Sequence, residues 1–95
     1  MNMNTIYKYE VNPDGRTAMP RDAKILHVGT QQAADGDEGI FVWAIVDTAA
    51  PIVQRRLLAV ATGAVLHALA STDRYVGSVQ FKTESLVFLF DLGMA

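Results

Sequence analysis

The stretch LLAVATGAVLHALAST, residues 57–72, decides the fold. It has two readings. In the first it is the second half of an Ala-rich helix at about 50–71. Thr48 would cap that helix and Pro51 would sit in its first turn. Leu57, Ala61, Ala64 or Val65, and Ala68 would form one face. Gly63 in its interior would cost about 1 kcal/mol relative to alanine. In the second reading VQRRLLAVAT, residues 53–62, is a strand that stops at Thr62-Gly63, where glycine breaks a strand naturally. The residues to about Thr72 are then irregular or a single helical turn, and Thr62 and His67 can face a ligand. Ala, Leu and Arg favour the helix, but propensity is a weak prior that tertiary context overrides.

The flanks speak for strands. TIYKYEV, residues 5–11, alternates, with Thr5, Tyr7, Tyr9 and Val11 on one face and Ile6, Lys8 and Glu10 on the other. NPDG, 12–15, has turn chemistry, and RTAMP is a short extended piece before Pro20. AKILHVGTQ, 23–31, is a further strand, and Asp35-Gly36 in the polar loop after it signals a hairpin. GIFVWAIVD, 39–47, is apolar on both faces, which predicts a central strand covered on both sides. YVGSVQF, 75–81, and the segment 85–92 form a C-terminal hairpin. In the latter Leu86, Phe88, Phe90 and Leu92 oppose Val87, Leu89 and Asp91.

Ninety-five residues make one small domain, 1–95, whose core is marginal without help. Apolar residues make up 51% and charged residues only 19%, below the usual quarter or so. The surplus apolar surface predicts self-association or a partner interface. The absence of cysteine removes disulfides, thiolate metal sites and thiol catalysis, and fits a reducing interior, hence a cytoplasmic setting. MNMNTIYKYE lacks the apolar core of a signal peptide, and no tract is long and apolar enough for a bilayer. A net charge of −2 argues against general nucleic-acid binding.

The order IYKYEV, MPRDAKILHVGTQ, IFVWAIVD, RRLLAVATG, YVGSVQF and a closing apolar strand resembles a family of small uncharacterised phage and prophage proteins. That family shares an I-x-KY strand, an MP-x-x-A-x-IL-x-V-x-x-Q strand, a WA-x-VD strand, a strand ending in TG, and a Y-x-G-S/T strand. The resemblance runs from Thr5 to about Leu92 and carries no catalytic signature. It implies a strand ending at Thr62-Gly63. In the family His-Pro follows that glycine, whereas Ala64 and Val65 stand there in this chain, so a histidine role at that position does not transfer. The expected fold is therefore mainly β: an antiparallel barrel or two-layer sandwich of about six or seven strands, with α+β and a long helix as the alternative.

Candidate site residues are few. His27, placed on the face of Ile25 and Gly29, and His67 are the titratable candidates for ligand contact. A metal would need Asp or Glu to complete its ligand set, and no metal or cofactor is expected. DGDEG, 35–39, lacks the ligand spacing of a calcium loop and reads as a solvated hairpin tip. Arg55 and Arg56 point to opposite faces of a strand, so one at most faces a given anion or acidic partner. Their alternative reading is charge protection of an edge strand. Tyr7, Tyr9 and Tyr75 are amphipathic anchors for a partner or a base. No phosphate loop, nucleophile elbow or zinc-protease pattern occurs.

The expected function is non-enzymatic. The resemblance implies a phage accessory product in the bacterial cytoplasm that binds and inhibits a host defence protein. Two alternatives stand beside it. One is an oligomeric sponge for a signalling nucleotide, with Arg55 or Arg56 on phosphate and an aromatic on the base. The other is a minor virion component.

Overall fold

The computed structural model describes residues 4–66 and 70–94. Seven strands run in chain order: β1 (Asn4–Glu10), β2 (Arg16–Pro20), β3 (Lys24–Gln32), β4 (Glu38–Asp47), β5 (Ile52–Ala61), β6 (Tyr75–Gln80) and β7 (Leu86–Met94). A single 3-10 turn, Thr72–Arg74, precedes β6. All pairings are antiparallel. One sheet has the order β1-β4-β3 and the other β2-β5-β7-β6. The sheets remain separate, so the fold is a two-layer sandwich and not a barrel. Its thinnest extent, 20 Å, suits two sheets stacked about 10 Å apart.

The deciding stretch is extended. β5 runs through Ala61, and the chain turns at Thr62-Gly63, where Gly63 takes a φ of 86° that glycine alone adopts without strain. The helix at 50–71 is excluded by this strand. β5 also lies inside its sheet, between β2 and β7, which removes the edge-protection reading of its two arginines.

The turn at 12–15 carries the chain from one sheet to the other. The Val11 N–H still bonds to the Ile40 carbonyl on β4, while the Gly15 carbonyl already accepts from Leu57 on β5. The Asp35-Gly36 turn joins β3 to β4 as a hairpin, and Gly36 has a φ of 89°.

The core lies between the sheets. Val28, Val42, Ala44 and Val46 from the first sheet meet Met19, Leu57, Val79 and Leu89 from the second, with Ala23 at the crossing. β3 and β6 approach most closely. A Cβ on Gly77 would lie 2.8 Å from Val28 Cγ1, so the bare glycine is what lets the strands meet.

Two sequence expectations are corrected here. β4 is central, as expected, but only one of its faces is fully covered. Phe41 is buried on the outer face, Trp43 is half-buried, and Ile45 is exposed. His27 does not share a face with Ile25. The register advances from Ile25 opposite Ala44 to His27 opposite Trp43, so Leu26 is an extra residue in a β-bulge. Ile25 points to the core and His27 points outward. Similar shifts leave Val76 extra on β6 and Leu92 extra on β7.

Candidate functional site

The ends of β3, β5, β6 and β7 enclose a cleft of about 590 Å³. Three cations, Lys24, Arg55 and Arg74, and two carboxylates, Asp73 and Asp91, line it beside Tyr75 and Leu26. Two of the bulges shape its rim. Leu26 is pushed out on β3 to 49% exposure, and the extra Val76 sits next to Tyr75 on β6.

Alternation sends Arg55 into this cleft and Arg56 to the opposite face of the sheet. Arg55 is engaged at three nitrogens. Its Nε donates to Asp91 Oδ1 at 3.0 Å, its Nη2 to Asp91 Oδ2 at 2.6 Å, and its Nη1 to the Ala23 carbonyl at 2.8 Å. Asp91 Oδ1 also accepts from the Gly93 N–H. Arg74 Nη1 donates to the Leu92 carbonyl at 2.8 Å. The Ser71 hydroxyl donates to Asp73. That bond, and secondly a bond to the Asp73 backbone N–H, holds the Asp73 carboxyl below its ordinary range. Much of the cleft's charge is thus turned on the chain itself. Among the described residues, Lys24 and the exposed Tyr75 find no such internal bond.

The other sequence candidates are dispersed. Tyr9 packs against the core opposite Val42, and burial, then the neighbouring Tyr7, raises its phenol. Tyr7 shares that face but lies exposed at the margin. His27 lies outward against Trp43, with ring centroids 5.3 Å apart, and Gly29 leaves the room this pair needs. Thr62 is exposed after β5, and its N–H and hydroxyl both donate to the Leu86 carbonyl, closing the β5–β7 ladder. Tyr75 lies on the outer face of the four-stranded sheet against Phe88 and Phe90, at 6.4 and 5.7 Å. His67 lies outside the described residues. Among the described residues, Arg55 and Tyr75 are the two candidates that line the cleft, Tyr75 from the side of the sheet's outer face. Among the described residues no three His, Asp or Glu side chains converge as a metal would require.

Lys24, Arg74 and Asp91 were not singled out from sequence. Asp91 had a signal: a lone carboxylate in LVFLFDL implies a buried partner. Arg74 had none, because only the pairing of β6 with β7 carries it to the Leu92 carbonyl.

The outer face of the three-stranded sheet is apolar. Ile6 is 56% exposed and Ile45, its cross-strand partner, 37%. Trp43, His27 and Phe41 continue the face. Lys8 stands over the Phe41 ring with its Nζ 5.1 Å from the centroid, and donates to Gln31 Oε1 at 2.8 Å.

These features define a small two-layer antiparallel β protein with a polar cleft at one end and an apolar outer sheet face. The chain belongs to the family of DUF7352, a domain of unknown function, which matches residues 3–91. No curated protein and no solved structure matches it. Among the described residues no helix is long and apolar enough to cross a membrane.

Proposed function

We propose that this chain is a non-enzymatic binding protein, and that it acts as a phage accessory product in the bacterial cytoplasm by gripping and inhibiting a host defence protein. The observation that carries this reading is the outer face of β1-β4-β3. Ile6 and Ile45 stand side by side in register, both exposed, next to Trp43 and His27. A lone domain gains nothing by leaving such a patch wet, whereas a partner that covers it removes apolar area from water. Aromatic and aliphatic residues at the centre with Lys8, Glu10 and Gln31 around them match the apolar middle and polar rim of a protein interface. The patch lies on an open sheet face, which suits a protein surface better than a small ligand.

The test combines capture and restriction. The tagged chain, expressed in the phage's host, should retain one host protein at fixed stoichiometry and should lift restriction of a sensitive phage. Ile45→Lys should abolish both while leaving the melting temperature of the purified protein nearly unchanged. Retention that is indifferent to Ile45→Lys and to Ile6→Glu would overturn the reading. So would a stable homo-oligomer that hides this same face.

A further inference from the structure

Arg16 and Arg56 stand directly opposite each other, on the edge strand β2 and its neighbour β5. Like charges directly across an antiparallel pair repel. Among the described residues no carboxylate forms an ion pair with either one. The contrast with Arg55 is sharp, since that side chain has placed its nitrogens on Asp91 and Ala23. Among the described residues the buried Arg56 Nε has no hydrogen-bond partner. A buried N–H left unmade is costly, and such groups call for an explanation.

A recess adjoins the pair. Arg16 and Arg56 line a recess of about 210 Å³ with Leu58 and Leu92. Gly93 continues the same cross-strand row beyond Arg56, and a Cβ added there would meet nothing within 4 Å. Asp14 also lines the recess, but its Oδ1 accepts from the Arg16 backbone N–H at 2.9 Å and it pairs with neither guanidinium.

We propose that Arg16 and Arg56 form an anion site that takes a phosphate-monoester group. Two guanidinium forks offer donors to several acceptor oxygens at once. A phosphate monoester carries about −1.5 to −2 charge at neutral pH and three strong acceptor oxygens, so it neutralises both arginines. A single carboxylate neutralises one and leaves the other uncompensated. The recess holds the phosphate group itself, and Leu58 and Leu92 give it an apolar margin for whatever the phosphate is attached to. The site is on the other sheet from the Ile6–Ile45 face and does not depend on the protein-binding reading.

Calorimetric titration of the full chain with inorganic phosphate and with adenosine monophosphate tests this, with acetate and chloride at matched ionic strength as controls. Saturable binding of the phosphate probes over both controls is expected. Arg16→Gln should weaken it by about tenfold or more, the scale of a lost charge-assisted hydrogen bond. Arg56→Lys, which keeps the charge and loses the fork, should also weaken it. Tighter binding of the nucleotide than of phosphate assigns the site to an ester, and equal binding assigns it to the phosphate group alone; both support the site. Equal responses to acetate or chloride, or binding unchanged by Arg16→Gln, would overturn it. Arg16 is exposed on an edge strand, so its variant keeps the test valid if a change at Arg56 impairs folding.

Discussion

Arg55 and Asp91 tie β5 to β7 by two parallel hydrogen bonds, Nε to Oδ1 at 3.0 Å and Nη2 to Oδ2 at 2.6 Å. Their side chains keep only 17% and 20% of their surface. The pair also reaches a third element, because Arg55 Nη1 binds the Ala23 carbonyl just before β3. One guanidinium thereby joins both sheets at the end of the sandwich.

Removing one partner should therefore matter more than at an exposed ion pair. Asp91→Ala leaves a largely covered guanidinium without its counter-ion and frees the Gly93 N–H. A loss of about 2 kcal/mol in urea unfolding is expected, the scale for charged hydrogen bonds. Arg55→Met with Asp91→Leu should cost less than Asp91→Ala alone, since no uncompensated charge remains. A single-variant loss within 0.5 kcal/mol or so, the usual range for a surface substitution, would show that the pair contributes little.

Gly77 faces Val28 across the two sheets, and a methyl there would sit 2.8 Å from Val28 Cγ1. Gly77→Ala should destabilise the protein by about 1–3 kcal/mol through overpacking. Val28→Ala creates space at the same point, so the double variant should be more stable than the sum of the two single losses. The cycle of four denaturation midpoints measures that coupling, and simple additivity would refute direct contact.

The Tyr9 phenol is raised above its ordinary 10.0, chiefly by burial. Above that pH the unfolded chain gives up this proton more readily than the folded one, so stability falls as pH rises from about 10 toward the folded value. Tyr9→Phe should remove part of this alkaline loss. The check is the slope of melting temperature against pH above 10 in both proteins, and identical slopes would refute it.

Leu89 is buried at the centre of the four-stranded sheet, three positions along from Leu86, which is 39% exposed. Leu89→Ala should cost about 2–5 kcal/mol and Leu86→Ala far less. Comparison of the two unfolding curves checks the assignment of inner and outer faces on β7.

The strands were legible in the sequence because period-two alternation is local. β1 places Tyr7 and Tyr9 on one face and Lys8 on the other, as the pattern 5–11 implied. The opposite pointing of Arg55 and Arg56 followed from the same rule. β5 was legible through Gly63 and the family resemblance, against the pull of its Ala and Leu content. The face of His27 was not legible. Leu26 shifts the register by one, and a bulge leaves no mark in a run such as KILHVGTQQ. Nor could the chain order show that β2 and β7 flank β5. The partners Asp91 for Arg55 and Arg16 for Arg56 depend on those distant pairings, and so did the cleft.

The bulge at Leu26 has a consequence for how the gene can drift. Ile25 opposite Ala44 and His27 opposite Trp43 would be consecutive rungs of a regular ladder if Leu26 were deleted. The loss of that one codon preserves the inward and outward alternation on each side, whereas a deletion a few residues further along β3 inverts it. A one-residue deletion in this strand should therefore be best tolerated at that point, at the cost of the leucine offered at the mouth of the cleft.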